Sequence, residues 1–218
     1  MVNLMNRIVR FALLLASLSI PVTLSAMTES DAKTIYNTDT KKIRAGDVQF
    51  DWKEYRLASV EGGTDYFDWH PVRTRFMQQL QSGNLDAALK SANEIQNHNM
   101  AEPEGHLLAL MAYQKMGREQ DAAFEHNVVA AYMQSILSSG DGKSSKTAYF
   151  VVKVDEEYFF LNIVMGIGLP SSQSLVEQDG HSFDKLTIKD KDGKDQEIWF
   201  NVDTSMNALK DALGDKSK

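Results

Sequence analysis

Four side chains in the second half of the chain have the chemistry that acid–base catalysis requires. Glu156 and Glu157 are neighbours, and His181 and Asp184 lie three positions apart. Paired carboxyl groups can act as acid and base when their surroundings separate their pKa values, and a histidine near a carboxylate can act as a general base. These four residues define a hydrolase-like alternative. In the other, favoured interpretation the glutamates lie on a solvated turn or cap a helix, and His181 only forms a hydrogen bond to Asp184.

The segment GDGKS at residues 140–144 resembles the end of a phosphate-binding loop. The full motif requires glycine at position 137, where this chain has Leu137, and a strand before it, where we predict a helix. We therefore reject nucleotide binding. Two interpretations remain, namely a weak site for an anion or a peptide terminus around Asp141 and Lys143, or a loop that only connects a helix to a strand.

Three aromatic residues, Tyr66, Phe67 and Trp69, lie just before Pro71. They could form a platform that faces a ligand. Large aromatic side chains more often serve burial, so the favoured interpretation is a loop held over the core of the helical part.

Two groups of polar residues suggest metal binding but have unsuitable spacing. His98, Glu102 and His106 are four residues apart, as ligands on one helix would be. Pro103 is expected to begin a new helix between them, which breaks that alignment. The second group is acidic and comprises Asp190, Asp192 and Asp195. It lacks the spacing and the distal glutamate of a calcium loop, so turn formation explains it better. We predict no metal and no cofactor.

Two similar segments, GNLDAALKSA from Gly83 and GREQDAAFEH from Gly117, begin 34 residues apart. The offset aligns Ala88 with Ala122. A 34-residue period, with glycine at a turn and alanine at a helix crossing, is typical of tetratricopeptide repeats. Two ordinary helical hairpins of similar length are the alternative, because the tryptophan and glycine usual in the repeat's first helix are absent. The predicted helices span residues 72–81, 84–97, 103–116 and 118–137.

The pattern changes from helical to strand-like after the loop SSGDG at residues 138–142. The segments TAYFVVKV (147–154) and YFFLNIVM (158–165) are β-branched and aromatic, and the short acidic stretch between them predicts a hairpin. Asp192-Gly193 is a strong hairpin signal. The remaining predicted elements are strands at 174–177, 183–189 and 197–202, and a closing helix at 204–213 capped by Asp203 or Thr204.

The helical and β-rich parts are each too small to bury their apolar faces alone. We therefore predict an α+β fold in which tetratricopeptide-like antiparallel helical hairpins pack on a small antiparallel β-sheet in one core. The predicted organisation is a signal peptide at residues 1–26, a mobile leader or short helix at 27–46, and a single domain at 47–218. Within that domain, residues 47–137 are helical and residues 138–218 are β-rich with a closing helix.

The N-terminus has the pattern of an export signal. Arg7 and Arg10 precede an apolar run at residues 11–20, and Ser25 and Ala26 provide a plausible cleavage site. Removing the segment takes the formal charge from −7 to −9, which disfavours nucleic acids and anionic membranes as partners. The chain has no cysteine, which excludes disulfides and lipid attachment through a processed cysteine. We expect a periplasmic or secreted protein, with a retained N-terminal anchor as the alternative.

A series of motifs resembles the bacterial family known as domain of unknown function 4919. In chain order they are FDWKEYRL (50–57), GDGKS (140–144), TAY (147–149), DEEYFFL (155–161), QSLVEQDGHSFDKL (173–186) and IWFNV (198–202). The resemblance covers residues 47–203. It implies a secreted or periplasmic bacterial protein with a helical part and a small sheet, and it implies no activity.

These observations favour a non-catalytic binding module that recognises a peptide or protein through a groove between helical repeats. The candidate binding residues are Tyr66, Phe67, Trp69, Asp141 and Lys143. No nucleic-acid partner is expected, and no stable membrane insertion after signal cleavage. The hydrolase-like alternative lacks a nucleophile, because neither Ser174 nor Ser182 lies in a recognisable nucleophile motif. A purely structural assembly partner is the third alternative.

Overall fold

The computed structural model describes residues 27–62 and 67–212. The predicted signal peptide at residues 1–26 and the candidate residue Tyr66 lie outside the described residues. The chain divides into two units, and the boundary falls between Tyr132 and Met133. The described part contains eight helices and a four-stranded mixed sheet, which confirms an α+β fold with helical hairpins.

The first unit is helical. It contains α1 (Glu29–Arg44), α2 (Trp52–Glu61), α3 (His70–Gln81), α4 (Leu85–His98), α5 (Pro103–Met116) and most of α6 (Glu119–Leu137). The four central helices lie within two residues of the predicted boundaries. Among the described helices of the whole chain, none is both long enough and apolar enough to cross a membrane.

The two similar segments that begin 34 residues apart each start at the same kind of turn. Gly83 follows α3 with φ +76°, and Gly117 follows α5 with φ +71°. A Cβ atom at either position would meet nothing within 4 Å, so glycine is required for its backbone conformation and not for space. The aligned residues Ala88 and Ala122 are both buried, as the repeat pattern predicts.

The core of the helical unit lies between α3, α4 and α5. Small residues let the helices approach closely, and larger residues fill the remaining space. The buried members are Val72, Phe76, Ala88, Ala92, Ile95, Leu108, Ala109 and Ala112.

The segment at residues 27–46, for which the sequence allowed a mobile leader or a short helix, contains α1. Thr28 caps this helix by accepting a hydrogen bond from the Asp31 backbone N–H. Tyr36 stacks on Tyr55 with 5.5 Å between ring centroids, and its hydroxyl accepts a hydrogen bond from the Met100 N–H. These contacts place α1 within the helical unit.

A side-chain cap begins α2. Asp51 caps the helix by accepting a hydrogen bond from the Glu54 N–H at 3.0 Å. Tyr55 and Leu57 are buried, and Phe50 is half-buried with its ring centroid 4.6 Å from that of Trp52.

The second unit contains the sheet. Its elements are a short 3₁₀ turn (Ser145–Thr147), β1 (Tyr149–Phe150), α7 (Asp155–Phe160), a π-helical turn (Leu161–Met165), β2 (Ser172–Gln178), β3 (His181–Lys189), β4 (Asp195–Asn201) and α8 (Asp203–Ala212). The strand order is β1-β4-β3-β2, with β1 parallel to β4 and the other pairs antiparallel. The three later strands and the closing helix were predicted correctly.

The predicted hairpin of residues 147–154 and 158–165 is wrong. Only Tyr149 and Phe150 form a strand, and residues from Asp155 onward form α7 and the π-helical turn. The Glu156 carboxylate accepts a hydrogen bond from the Val152 N–H at 2.8 Å, which turns the backbone into the helix. A continuous apolar run such as YFFLNIVM fits a buried helix as well as a strand, so periodicity could not decide between them.

The turn between β3 and β4 has the predicted geometry. Gly193 has φ +77°, and the Asp190 carboxylate accepts hydrogen bonds from the N–H groups of Asp192 and Lys194. This turn sets a register in which Asp184 lies opposite Phe200. One face of β3 is therefore buried, and its residues are Ser182, Asp184, Leu186 and Ile188.

Candidate functional site

The helical unit has a pocket of about 390 Å³ between the end of α1 and helices α4, α5 and α6. This volume lies at the small end of the range of roughly 300–1,000 Å³ that is usual for ligand sites. Its walls combine apolar and polar side chains. They are formed by Ile43, Arg44, Ala45, Gly46, Gln96, Met100, His106, Phe124 and Glu125.

A polar triad forms one wall of the pocket, in which His106 and Glu125 are buried and Gln96 is half-buried. His106 Nδ1 lies 2.6 Å from a carboxylate oxygen of Glu125, and its Nε2 lies 2.9 Å from the Met100 carbonyl oxygen. A carbonyl can only accept, so Nε2 carries a hydrogen and a single proton lies between Nδ1 and Glu125. Gln96 Nε2 donates to the same carboxylate at 3.2 Å. These bonds fix the orientation of the three side chains before any ligand arrives.

Two groups around the pocket are available to a ligand. The Gln96 amide nitrogen is bonded to Glu125, but no described residue donates a hydrogen bond to its carbonyl oxygen. The Arg44 side chain is exposed, and no ion pair with another described residue occupies its guanidinium. With respect to residues 27–62 and 67–212, the pocket therefore offers one acceptor and one cation without a partner, beside the apolar residues Ile43, Met100 and Phe124.

In the sheet unit, the structure brings together two of the four predicted catalytic residues. Glu157 is fully buried, and its carboxyl group lies within hydrogen-bonding reach of Asp184. Burial is the largest cause that raises the pKa of Glu157 to about 9, followed by the charge of Asp184, the hydrogen bond to Asp184 and the charge of Glu156. Glu157 is therefore a neutral acid at pH 7 beside a second carboxyl group, which is the relationship that an acid–base pair requires.

A chain of hydrogen bonds links this pair to the surface. Asp184 accepts a hydrogen bond from Gln173 Nε2 at 2.7 Å, and Gln173 accepts one from the Tyr158 hydroxyl at 2.7 Å. Asp184 itself is only 6% exposed. Gln173 therefore occupies one oxygen of Asp184.

The other two predicted catalytic residues have different partners. The Glu156 carboxylate bonds to the Val152 N–H, and His181 Nδ1 lies 2.6 Å from Asp203, not from Asp184. His181 and Asp184 are three positions apart on β3, so their side chains point to opposite faces of the sheet. The structure therefore pairs His181 with Asp203 and leaves it apart from the pair that Glu157 and Asp184 form.

Residues 70–210 match a family model described as a domain of unknown function, DUF4919. The chain belongs to this family. The family that the motif order predicted is thus confirmed, but the matched region starts after FDWKEYRL at residues 50–57. No curated protein and no solved structure matches the chain.

The GDGKS loop of this DUF4919 chain is internally bonded. The N–H groups of Asp141 and Gly142 both donate to the Thr147 carbonyl, and the N–H of Lys143 donates to the Asp141 carboxylate. The hydrogen bond from Thr147 and the contacts with Lys143 lower the pKa of Asp141 to about 2. A Cβ at Gly140 would lie 2.3 Å from the Thr147 carbonyl oxygen. These backbone amides are occupied, which favours the connecting-loop interpretation.

The aromatic segment of the helical unit packs on the core. Phe67 and Trp69 are half-buried, and both contact the cluster formed by α3, α4 and α5. Phe67 stacks on His98 with 3.8 Å between ring centroids, and Trp69 stacks on His70. This arrangement favours a loop held over the core.

Sequence reasoning missed the triad in the pocket wall. It placed His106 in a metal group with His98 and Glu102, but His106 pairs with Glu125 on the next helix. The available signal was a histidine inside the apolar run of α5. In the described part of the chain, no three His, Asp or Glu side chains form a group that could hold a metal ion.

Proposed function

We propose that this protein is a non-catalytic binding module whose helical unit holds a peptide, or a peptide segment of a partner protein, in the pocket beside α1. The observation that carries the proposal is the preorganised polar wall of Gln96, His106 and Glu125 in a pocket of about 390 Å³. A rigid polar wall reduces the entropy lost on binding, which is how small pockets gain affinity.

The free groups of the pocket suit a peptide with a carboxylate. The Gln96 carbonyl oxygen can accept a hydrogen bond from a backbone N–H of the peptide. The Arg44 guanidinium can pair with a carboxylate through two parallel hydrogen bonds. The apolar residues Ile43, Met100 and Phe124 can contact one side chain. The ligand class that fits all three features is the carboxyl end of a polypeptide.

Two variants test the proposal with a library of short peptides that have free carboxyl ends. Arg44→Ala removes the free cation, and Ala45→Trp fills the pocket at its exposed rim. We expect the unaltered chain to enrich a subset of peptides. Loss of the charged contact should weaken binding of these peptides about tenfold, and pocket filling should abolish it.

Lys41→Ala is the matched control, since Lys41 is also an exposed cation on α1 but does not line the pocket. It should bind the enriched peptides as the unaltered chain does. The proposal fails if no peptide is enriched over the Ala45→Trp background, or if the Arg44 and Lys41 variants bind equally well.

We also propose that the module acts outside the cytoplasm and that its helix pairs are tetratricopeptide-like. The pattern at residues 1–26 supports export, and the absence of cysteine is compatible with it. The 34-residue offset between two equivalent glycine turns supports the repeat assignment. Mass spectrometry of the exported chain tests the first point, because cleavage after Ala26 should leave Met27 at the N-terminus.

A further inference from the structure

The outer edge of β2 is unpaired among the described residues. β2 is the last strand in the order β1-β4-β3-β2, and its seven residues pair with β3 alone. Six of the seven are exposed, and Leu175 keeps 51% of its surface accessible. A strand of this length presents an edge of roughly 24 Å with free backbone donors and acceptors.

This edge lacks the features that normally prevent strands from pairing with other molecules. β2 has the sequence SQSLVEQ, with no proline and no lysine, and its register against β3 is continuous over all seven residues, without a bulge. The opposite edge differs, because β1 has only two residues. Short edge strands, bulges, prolines and lysines are the usual protection of a sheet edge.

The sequence of β2 is complementary to itself in the antiparallel direction. A twofold axis at Leu175 places this residue opposite its own copy, Ser174 opposite Val176, and Gln173 opposite Glu177. Glu177 is the only charged residue of the strand, so no two like charges face each other. The exposed apolar side chain lies at the centre, where pairing would bury it against its counterpart.

We infer that two copies of this chain associate through their β2 edges into a continuous eight-stranded sheet, antiparallel and centred on Leu175. The partner is a second copy, because this register sets the charged Glu177 opposite the neutral Gln173 and buries the exposed Leu175 against its own counterpart. The contact involves one strand from each copy, so the dimer is concentration-dependent. This association is independent of the pocket in the helical unit.

The first test is the oligomeric state by sedimentation up to roughly millimolar concentration, where weak contacts of small area become populated. The unaltered chain should be a dimer at the upper end of this range. Leu175→Lys should raise the dissociation constant at least tenfold. Leu209→Lys is the matched control, since Leu209 is 49% exposed on α8, and it should leave the dimer intact.

The second test uses the absence of cysteine from the chain. Opposed residues of an antiparallel pair have Cβ atoms about 4.5–5.5 Å apart, close to the spacing of a disulfide. Leu175→Cys should therefore form a covalent dimer under mild oxidation, faster than Leu209→Cys does. A monomer at the highest concentration overturns the inference. So does a dimer that survives Leu175→Lys, or a Leu175→Cys variant that cross-links no faster than its control.

Discussion

At the scale of single residues, Glu157 is unusual because its ionisable carboxyl group is fully buried. Its carboxyl group is buried within hydrogen-bonding reach of a second carboxyl group, that of Asp184. Folding raises its pKa from the ordinary 4.5 to about 9, so the folded state holds a proton that the unfolded state releases. The resulting contribution to stability is complete below the ordinary pKa and is lost as the pH rises toward 9.

Glu157→Gln should therefore flatten the pH dependence of the free energy of unfolding. Glutamine has a similar shape and cannot ionise. Each pH unit between the two pKa values costs the unaltered chain about 1.4 kcal/mol. The advantage of the variant should grow by several kcal/mol between about pH 5 and pH 8, measured by urea denaturation. Glu177→Gln, at an exposed site, should show no such trend. Parallel pH profiles for all three proteins would contradict the prediction.

His106 and Glu125 give a second residue-scale prediction, because both are buried and lie 2.6 Å apart. Removing one member takes from the other its nearest partner in a buried site, and breaking a buried pair in this way costs about 3–5 kcal/mol. His106→Leu and Glu125→Leu should each destabilise the chain by this order. The double variant should lose less than the sum, as a double-mutant cycle of denaturation midpoints will show. Additive losses would mean that the two groups do not interact.

At this scale, contacts between residues close in the chain could be predicted from the sequence, and contacts between distant residues could not. The turn at Asp192-Gly193 was predicted correctly because its geometry depends on residues nearby in the chain. The pairing of His106 with Glu125 spans 19 positions, and that of His181 with Asp203 spans 22. Such contacts depend on which helix faces which, and on how the strands and helix ends are placed. Residue type and local spacing do not contain this information.

At the scale of elements, the turn glycines explain why the helices were predicted well. Gly83 and Gly117 have positive φ angles that end one helix and redirect the chain into the next. The failure at residues 147–165 has a different cause, since the acidic stretch 155–157 that predicted a turn begins a helix instead. Burial of Phe160, Leu161 and Ile163 could be achieved by either type of structure.

Gly83→Ala and Gly117→Ala should each lower the free energy of unfolding by about 1–2 kcal/mol, because other residues are strained at positive φ. Equal costs at the two sites would reflect their equivalent turns. Gly168→Ala is the control, since it too has open space around its Cβ position but no positive φ. Its effect should stay within about 0.5 kcal/mol. Thermal denaturation measures all three, and a cost at Gly168 equal to the others would refute the conformational explanation.

At the scale of the whole molecule, the single domain at residues 47–218 stays a prediction. Its physical basis is that neither two helix pairs nor a small one-faced sheet buries enough apolar surface alone. The boundary between the two units falls inside α6, so the first part of this helix is assigned to the helical unit and its last residues are assigned to the sheet unit.

Cooperative unfolding tests this prediction through the three tryptophans. Trp52 and Trp69 belong to the helical unit, and Trp199 belongs to the sheet. The Trp199→Phe variant reports only on the helical unit, and the Trp52→Phe/Trp69→Phe variant reports only on the sheet unit. If the units share a core, the fluorescence midpoint of each variant in urea should equal the midpoint of the same variant by circular dichroism. Two separate transitions within one variant would contradict it.

The parallel pairing of β1 with β4 has a consequence for folding kinetics. Tyr149 pairs with Phe200, and the chain between these two residues includes most of the sequence of the sheet unit. Lys189 and Asp195, by contrast, are joined by one tight turn. Closing the longer loop costs more chain entropy, so the hairpin should form in the transition state and β1 should dock afterwards. Gly193→Ala should therefore slow refolding, while Phe150→Ala should mainly accelerate unfolding in a chevron plot. The first strand of this sheet in the chain would then be the last to join it.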